Sequence, residues 1–401
     1  RSEPSWVPEA HWPAPPALAN LGFEQPPLSL YVHIPWCERK CPYCDFNSHE
    51  HFSTTLEQPY VAALLADLQQ QIRGQSEPMF TSIFIGGGTP SLFSAEAIGA
   101  LLGGIRSRVK IAPDAEITLE CNPSSAEISR FQGYRRAGVN RLSLGVQSFH
   151  DGALTALGRI HSAEQSRRAV TAARDLFERF NIDLMHGLPG QDQQQALDDL
   201  SEAINQGADH ISWYQLTIEP NTAFYSSPPT LPVEDTLATI QTEGEALLHT
   251  AGFHQYEVSA WARPRQASSH NMNYWTFGDY IGIGAGAHGK ITEPNGTIIR
   301  TRRSRVPKDY MASIAEQIPP IKEAIPDHDV VAEFLLNTLR LQDGVPTNLL
   351  ARRTGKPLTE LEGVWSTLLQ KGLVTPSDQR LSTTRLGYRF LNDVIGAFLD
   401  P

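Results

Sequence analysis

The chain has 401 residues, 40% of them apolar and 19% charged, with a formal net charge of −11. That length can hold one large domain or two to three smaller ones, and the acidic balance argues against broad nucleic-acid binding, which needs a basic face. No run of about 18 apolar residues is present, so no membrane span is expected. Arg1 to Gln25 carry no apolar core of a signal peptide. Four cysteines, three of them clustered, do not make a disulfide framework, and reduced thiols point to the cytoplasm.

Residues 1–27 are rich in proline, from Pro4 to Pro27. Proline fixes φ and donates no ladder hydrogen bond, so this is expected as a lead-in that Trp6 and Trp12 tack onto the body. From residue 28 a strand–helix rhythm begins. β-prone runs are read at 28–34, 82–85, 117–120, 141–145, 182–185 and 210–216, with helical patterns between them, as at 59–73, 95–107 and 163–177. Strands alternating with helices imply a parallel sheet, here an open, partial (β/α)6 barrel with its chemistry at the carboxyl ends of the strands. A helix at 233–251, a strand at 252–260 and a glycine-rich strand region complete a core over 28–305. Prolines punctuate a linker expected at 306–320. Helical patterns at 329–340, 345–354 and 358–371, a ribbon of 372–374 with 380–384 and a last helix at 387–399 suggest a small winged-helix-like α+β module over 321–401.

The chemistry concentrates in Cys37, Cys41 and Cys44, spaced Cys-x-x-x-Cys-x-x-Cys just after the first strand. Full ligation of a four-iron cubane takes four cysteines, so three leave one iron open. Zinc sites usually pair two cysteines with a second pair of cysteines or histidines, and no second pair exists here. A zinc loop and three unrelated thiols are the competing readings. Cys121 reads as a small buried apolar residue. Other signals sit just after strands: Gly86-Gly87-Gly88-Thr89-Pro90, Glu120, Gln147 and, within an apolar strand, Asp183, a charge that needs a partner. Arg159 reads either as a solvated helix charge or as a cation for a carboxylate.

This spacing resembles the signature of the radical S-adenosylmethionine (SAM) superfamily. The resemblance implies a [4Fe-4S] cluster on Cys37, Cys41 and Cys44, with SAM on the open iron. It further implies that Tyr31 contacts SAM and Phe46 packs on adenine. Gly87, Gly88 and Thr89 would hold the amino group, and Glu120 the ribose hydroxyls. Arg159 would pair with the carboxylate, and Gln147 and Asp183 would be further SAM contacts.

Two features narrow the family. His270-Asn271-Met272-Asn273-Tyr274-Trp275 resembles the His-Asn-x-x-Tyr-Trp element proposed to bind heme in HemW-type heme chaperones, with His270 as a candidate iron ligand. Oxygen-independent coproporphyrinogen III oxidase, the competing relative, has a loop resembling Cys-x-x-x-Cys-x-x-Cys-x-Cys, and Phe46 stands at its fourth position here. Both features favour the chaperone, with heme and apo-hemoproteins as partners, membrane-associated respiratory enzymes among them. A homodimer and a peripheral place at the inner face of the membrane are further expectations. Gly284, Gly286 and Gly289 fit Gly-x-Gly-x-x-Gly formally, but an Asn-Gly hairpin follows instead of a helix, so the dinucleotide reading is rejected. The basic run Arg300, Arg302, Arg303, Arg305 and Lys308 reads as a solvated strand edge or as contacts for heme propionates or an anionic membrane.

Overall fold

The computed structural model describes residues 22–74 and 77–399. Residues 1–21 of the expected lead-in, with Trp6 and Trp12, lie outside the described residues. In chain order, the helices of seven or more residues alternate with strands through the first half. The units are β1 (Leu28–Ile34), α1 (Glu57–Gln71), β2 (Met79–Gly87), α2 (Ala95–Arg106), β3 (Lys110–Cys121), α3 (Phe131–Ala137), β4 (Arg141–Gln147), α4 (Ala163–Leu176), β5 (Arg179–His186), α5 (Gln193–Asn205) and β6 (His210–Gln215). These six strands pair in sequence order and all in parallel, the expected partial barrel.

The local causes are plain. Leu30, Val32 and Ile34 of β1 are fully buried, and so are Ser29 and most of His33 on the opposite face, as a parallel strand covered on both faces requires. In α1, Tyr60, Leu64 and Leu68 recur every four residues and bury one stripe. Ser162 and Gln165 form a capping box that starts α4, and Asp192 and Gln195 form another that starts α5.

The sheet extends at both edges to twelve strands. Beyond β6 lie β8 (Ala260–Ala262) and β7 (His254–Glu257), preceded by α6 (Glu234–Thr250). The single strand expected at 252–260 is thus two short antiparallel strands. Beyond β1, after α7 (Ser269–Trp275), come β9 (Asp279–Ile283), β10 (His288–Thr292), β11 (Ile298–Arg302) and β12 (Ile321–Ala324). The Asn-Gly turn between β10 and β11 is present, with Gly296 at φ 86°. The stretch 306–320 differs from the expected linker. It carries α8 (Pro307–Ala315), whose buried Tyr310 donates to Asp67 Oδ2 of α1 at 2.9 Å.

The C-terminal module has α9 (Val330–Thr338), α10 (Glu362–Gln370) and shorter helices. Its core joins the body, because Phe277 and Ile298 pack into the same cluster as Phe334, Leu350 and Trp365. The helix expected from Val345 begins at Leu349. Residues Val345–Pro346 instead form β13, paired with β14 (Arg380–Leu381), while Val374 and Thr383 make one isolated bridge. Among the described residues no helix is long and apolar enough to cross a membrane.

Candidate cluster and SAM site

The cysteine loop leaves the carboxyl end of β1 and is fixed at its root. Trp36 is buried against Tyr60 of α1, with ring centroids 4.7 Å apart, and against Phe93 at 6.0 Å. The Cys37 amide donates to His49 O at 2.9 Å, closing the loop. The glycine run after β2 lies directly against this root. The Gly88 amide donates to Ile34 O at 2.9 Å and the Thr89 amide to Trp36 O at 2.7 Å. A Cβ on Gly88 would sit 2.6 Å from Trp36 O, so only glycine allows this approach. The amides of Gly87, Gly88 and Thr89 are therefore spent within the protein.

Cys37, Cys41 and Cys44 are half-buried, and burial pushes the Cys37 and Cys44 thiols up. Arg159 reaches this loop from beyond β4: Nη1 donates to Cys41 Sγ at 3.4 Å, and Nη2 to Asn122 Oδ1 at 2.6 Å and Gly145 O at 2.9 Å. It is not a solvated helix charge. Asn122, which the sequence reading passed over, faces both ways. A guanidinium only donates, so Asn122 must present Oδ1 to Arg159, and its Nδ2 donates to Thr89 Oγ1 at 3.0 Å. The Thr89 hydroxyl in turn hydrogen-bonds Cys37. One guanidinium is thus linked to Cys41 directly and to Cys37 through an amide and a hydroxyl. The signal for Asn122 was its place beside Glu120, at the mouth of β3.

Glu120 accepts from the Gly87 amide at 3.0 Å. Burial, then the nearby Asp183 carboxylate, push its pKa up to about 8, against the opposing Gly87 hydrogen bond. Asp183 is also raised by burial, while Asn181, Ser212 and Ser143 hydrogen-bond its charged form. Gln147 ends β4 at φ 70°, a left-handed conformation costly for a side-chain-bearing residue, and its Oε1 accepts from Tyr214 at 2.9 Å. Tyr31 and His33 are coupled as well. The Asn47 carbonyl, 2.8 Å from His33 Nε2, can only accept, so neutral His33 carries its proton there and accepts from the Tyr31 hydroxyl through Nδ1 at 2.9 Å.

A raised carboxyl pKa has a definite sign in stability. Between about 4.5 and 8 the folded state holds a proton on Glu120 that the unfolded state does not, so stability falls as pH rises through this window. Glu120→Gln is expected to remove that part of the slope. The variant's melting temperature should gain on the parent's from pH 5 to pH 8, measured by thermal denaturation. A constant difference across that range would contradict the assignment.

Gly87, Gly88, Thr89, Glu120 and Gln147 stand at or just past the carboxyl ends of β2, β3 and β4, Arg159 reaches the cysteine loop from beyond β4, and Tyr31 and Asp183 lie in the middle of β1 and β5. Phe46 is 63% exposed. His270 lies deeper in the core, one ring beyond Tyr31, with Phe84 packed on both. It is 1% exposed, stacks on Phe84 at 5.2 Å, and has both ring nitrogens occupied, Nδ1 with Ser82 Oγ at 2.9 Å and Nε2 with Tyr274 Oη at 2.8 Å. Burial lowers its pKa to about 3. The basic run divides: Arg303 is buried and pairs with buried Asp67, Arg300 is half-buried against Glu333 and Tyr280, and Arg302, Arg305 and Lys308 are exposed, with Arg302 paired to Glu323 on β12.

The donor set fits a four-iron cluster. Three soft thiols stand on one loop, and the buried Arg159 Nε has no hydrogen-bond partner among the described residues, so a cation's donor there awaits an acceptor. Among the described residues no three Cys, His, Asp or Glu groups close on a single metal ion. Thiolates that ligate three different irons stand further apart than three sharing one ion. Cys121 is buried, its Sγ 3.8 Å from Leu119 O, and burial holds its thiol well above the usual range.

The family model of the radical SAM superfamily matches residues 31–203, and that of the HemN C-terminal domain matches residues 325–390. The chain is 47% identical over 375 residues to a heme chaperone HemW of Escherichia coli (strain K12), covering 93% of this chain and 98% of that one. It is 35% identical to a heme chaperone HemW of Bacillus subtilis (strain 168), covering 92% and 99%. The fold is shared with the solved coproporphyrinogen III oxidase (HemN) of Escherichia coli, a radical SAM enzyme, at a TM-score of 0.80 and 22% identity over 95% of this chain and 92% of that one. With its end-to-end likeness to these chaperones and its radical SAM barrel, the chain belongs to the HemW heme-chaperone family of the radical SAM superfamily.

Proposed function

We propose that the chain is a heme chaperone that holds a [4Fe-4S] cluster through Cys37, Cys41 and Cys44, SAM at the open iron, and heme for delivery to apo-hemoproteins. The observation that carries this reading is the full-length similarity to a heme chaperone HemW. The loop supports it, because Phe46 stands where the oxidase loop resembles a fourth cysteine. When bound, the cluster would be able to pass an electron to SAM. Arg159 offers its Nε, unpartnered among the described residues, to the SAM carboxylate, Glu120 and Asp183 accept from hydroxyl groups, and Gln147 and Tyr31 flank them. Gly87, Gly88 and Thr89 hold the amino-group end of SAM, and Phe46 offers a flat exposed ring for adenine. Acceptors are respiratory hemoproteins at the inner face of the membrane, reached from the cytoplasm, and light scattering checks the expected homodimer.

The test is anaerobic reconstitution followed by two parallel measurements. Hemin should bind, seen as a Soret shift. Coproporphyrinogen III with SAM and a reductant should not be turned over. Protoporphyrinogen formation would make the chain an oxidase instead.

A further inference from the structure

Heme ligation by His270 would break one of two buried hydrogen bonds and draw a core ring to the surface. Another histidine needs neither step. His288 opens β10 and is exposed. On the antiparallel edge of the sheet it stands directly opposite Arg302 of β11, which in turn stands opposite Ile321 of β12. Directly opposed residues share a face, so one row presents an imidazole, a guanidinium and an aliphatic side chain. The Arg302 side chain is 52% exposed, and Ile321 is 51% exposed. The chain after β11 turns back along the start of β10: the Arg303 amide donates to Ala287 O at 3.0 Å, and the Gly286 amide to Ser304 O at 2.7 Å. This brings exposed Arg305 within electrostatic reach of the imidazole, as Arg302 and Arg300 are, and exposed Val306 follows it in the chain.

The geometry points to His288 as the axial ligand of an iron porphyrin carried on this face, with Arg302 and Arg305 on its propionates and Val306 and Ile321 against its ring. This inference rests on the heme-binding reading and names the surface that serves it. Each part matches a chemical need. Imidazole is a natural ligand for heme iron. A guanidinium fork fits a carboxylate. The Arg302–Glu323 contact, at 3.1 Å between two exposed groups, is of a kind that contributes little and can be exchanged for a propionate. A porphyrin held on one face by a single imidazole leaves its other axial position open to an acceptor's ligand, which suits transfer rather than storage.

The surface also adjoins the proposed cluster site. The Arg305 carbonyl accepts from Asn47 Nδ2 at 2.9 Å and lies 3.1 Å from His49 Nε2, both on the segment that follows Cys44.

The experiment titrates hemin and metal-free protoporphyrin into the full-length wild-type protein, His288→Ala, and Arg302→Ala combined with Arg305→Ala. All three positions are exposed, so folding should survive, and circular dichroism checks it. His288→Ala should weaken hemin binding at least tenfold and change the Soret position, while leaving metal-free porphyrin binding unchanged. The double arginine variant should weaken both ligands. Hemin bound by His288→Ala with wild-type affinity and spectrum overturns the inference and leaves the chaperone reading standing. Failure of the wild type to bind hemin removes both.

Discussion

Cys41→Ala is expected to abolish assembly of a four-iron cluster, while Cys121→Ala leaves it intact. Cys41 sits in the middle of the ligand loop with the Arg159 guanidinium 3.4 Å from its sulfur. A cluster already one protein thiolate short of full ligation loses half of its four corners if another goes. The positive charge of Arg159 also loses its sulfur partner and remains buried beside Asn122, which adds to the local cost. Cys121 is the only cysteine outside the loop. It is 4% exposed, and its burial favours the protonated thiol over the thiolate that a metal requires. Iron and sulfide content after anaerobic reconstitution measures both variants. The expected results are near-complete loss for Cys41→Ala and wild-type stoichiometry for Cys121→Ala. Loss of iron in the Cys121 variant would place that thiol on the cluster and close the open corner.

His270→Ala is expected to cost about 3 kcal/mol of stability, whatever it does to heme. Truncating a fully buried ring leaves a cavity, and the hydroxyls of Ser82 and Tyr274 both lose a hydrogen-bond partner. Phe84 also loses the ring stacked at 5.2 Å, and Phe84 in turn packs on Tyr31, 6.3 Å away, at the candidate SAM site. Weak heme or SAM binding by this variant would therefore not identify a ligand unless the stability loss is measured beside it. Denaturant unfolding supplies the first number and hemin titration the second. The pH dependence separates the buried ring further. Its folded-state pKa of about 3 lies below the unfolded value near 6.5, so its contribution is fully present above pH 6.5 and is lost as pH falls toward 3. The gap in stability between the parent and His270→Ala should narrow over that range. A variant as stable as the parent at pH 7 would show that the ring is not held as described.

The barrel was legible because its signals are local and repeated. The run Leu28–Ile34 is a strand with the bounds read from sequence, and α4 starts at the residue expected, where Ser162 and Gln165 cap it. What escaped depends on partners far away in the chain. Val345–Pro346 is a strand only because Arg380–Leu381 lies beside it, which no periodicity near residue 345 can reveal. The prolines around 306–320 suggested a linker, but Pro307 occupies the first turn of a helix, where a missing amide costs nothing, and Asp67 of α1 supplies the buried partner for Tyr310.

The same division holds at the candidate site. The cysteines and the glycine run stood out by residue type and spacing, while Glu120 and Arg159 were singled out through the family resemblance. Asn122 was not, since its value lies in facing Thr89 and Arg159 at once, residues 33 and 37 positions away. The basic run read as one feature, yet register divides it: Arg303 turns inward to Asp67 while Arg302 turns out beside His288. The His-Asn-x-x-Tyr-Trp element was readable as a motif, but the burial of its histidine follows from α7 packing against β2 and could not be seen in the motif itself.

The most direct test of the central claim is the electron paramagnetic resonance spectrum of the reduced, anaerobically rebuilt protein, recorded with and without SAM. Three thiolate ligands and a free iron predict a cubane signal that changes when SAM is added. A cubane signal indifferent to SAM, or a protein that takes up zinc and gives no such signal, would contradict it.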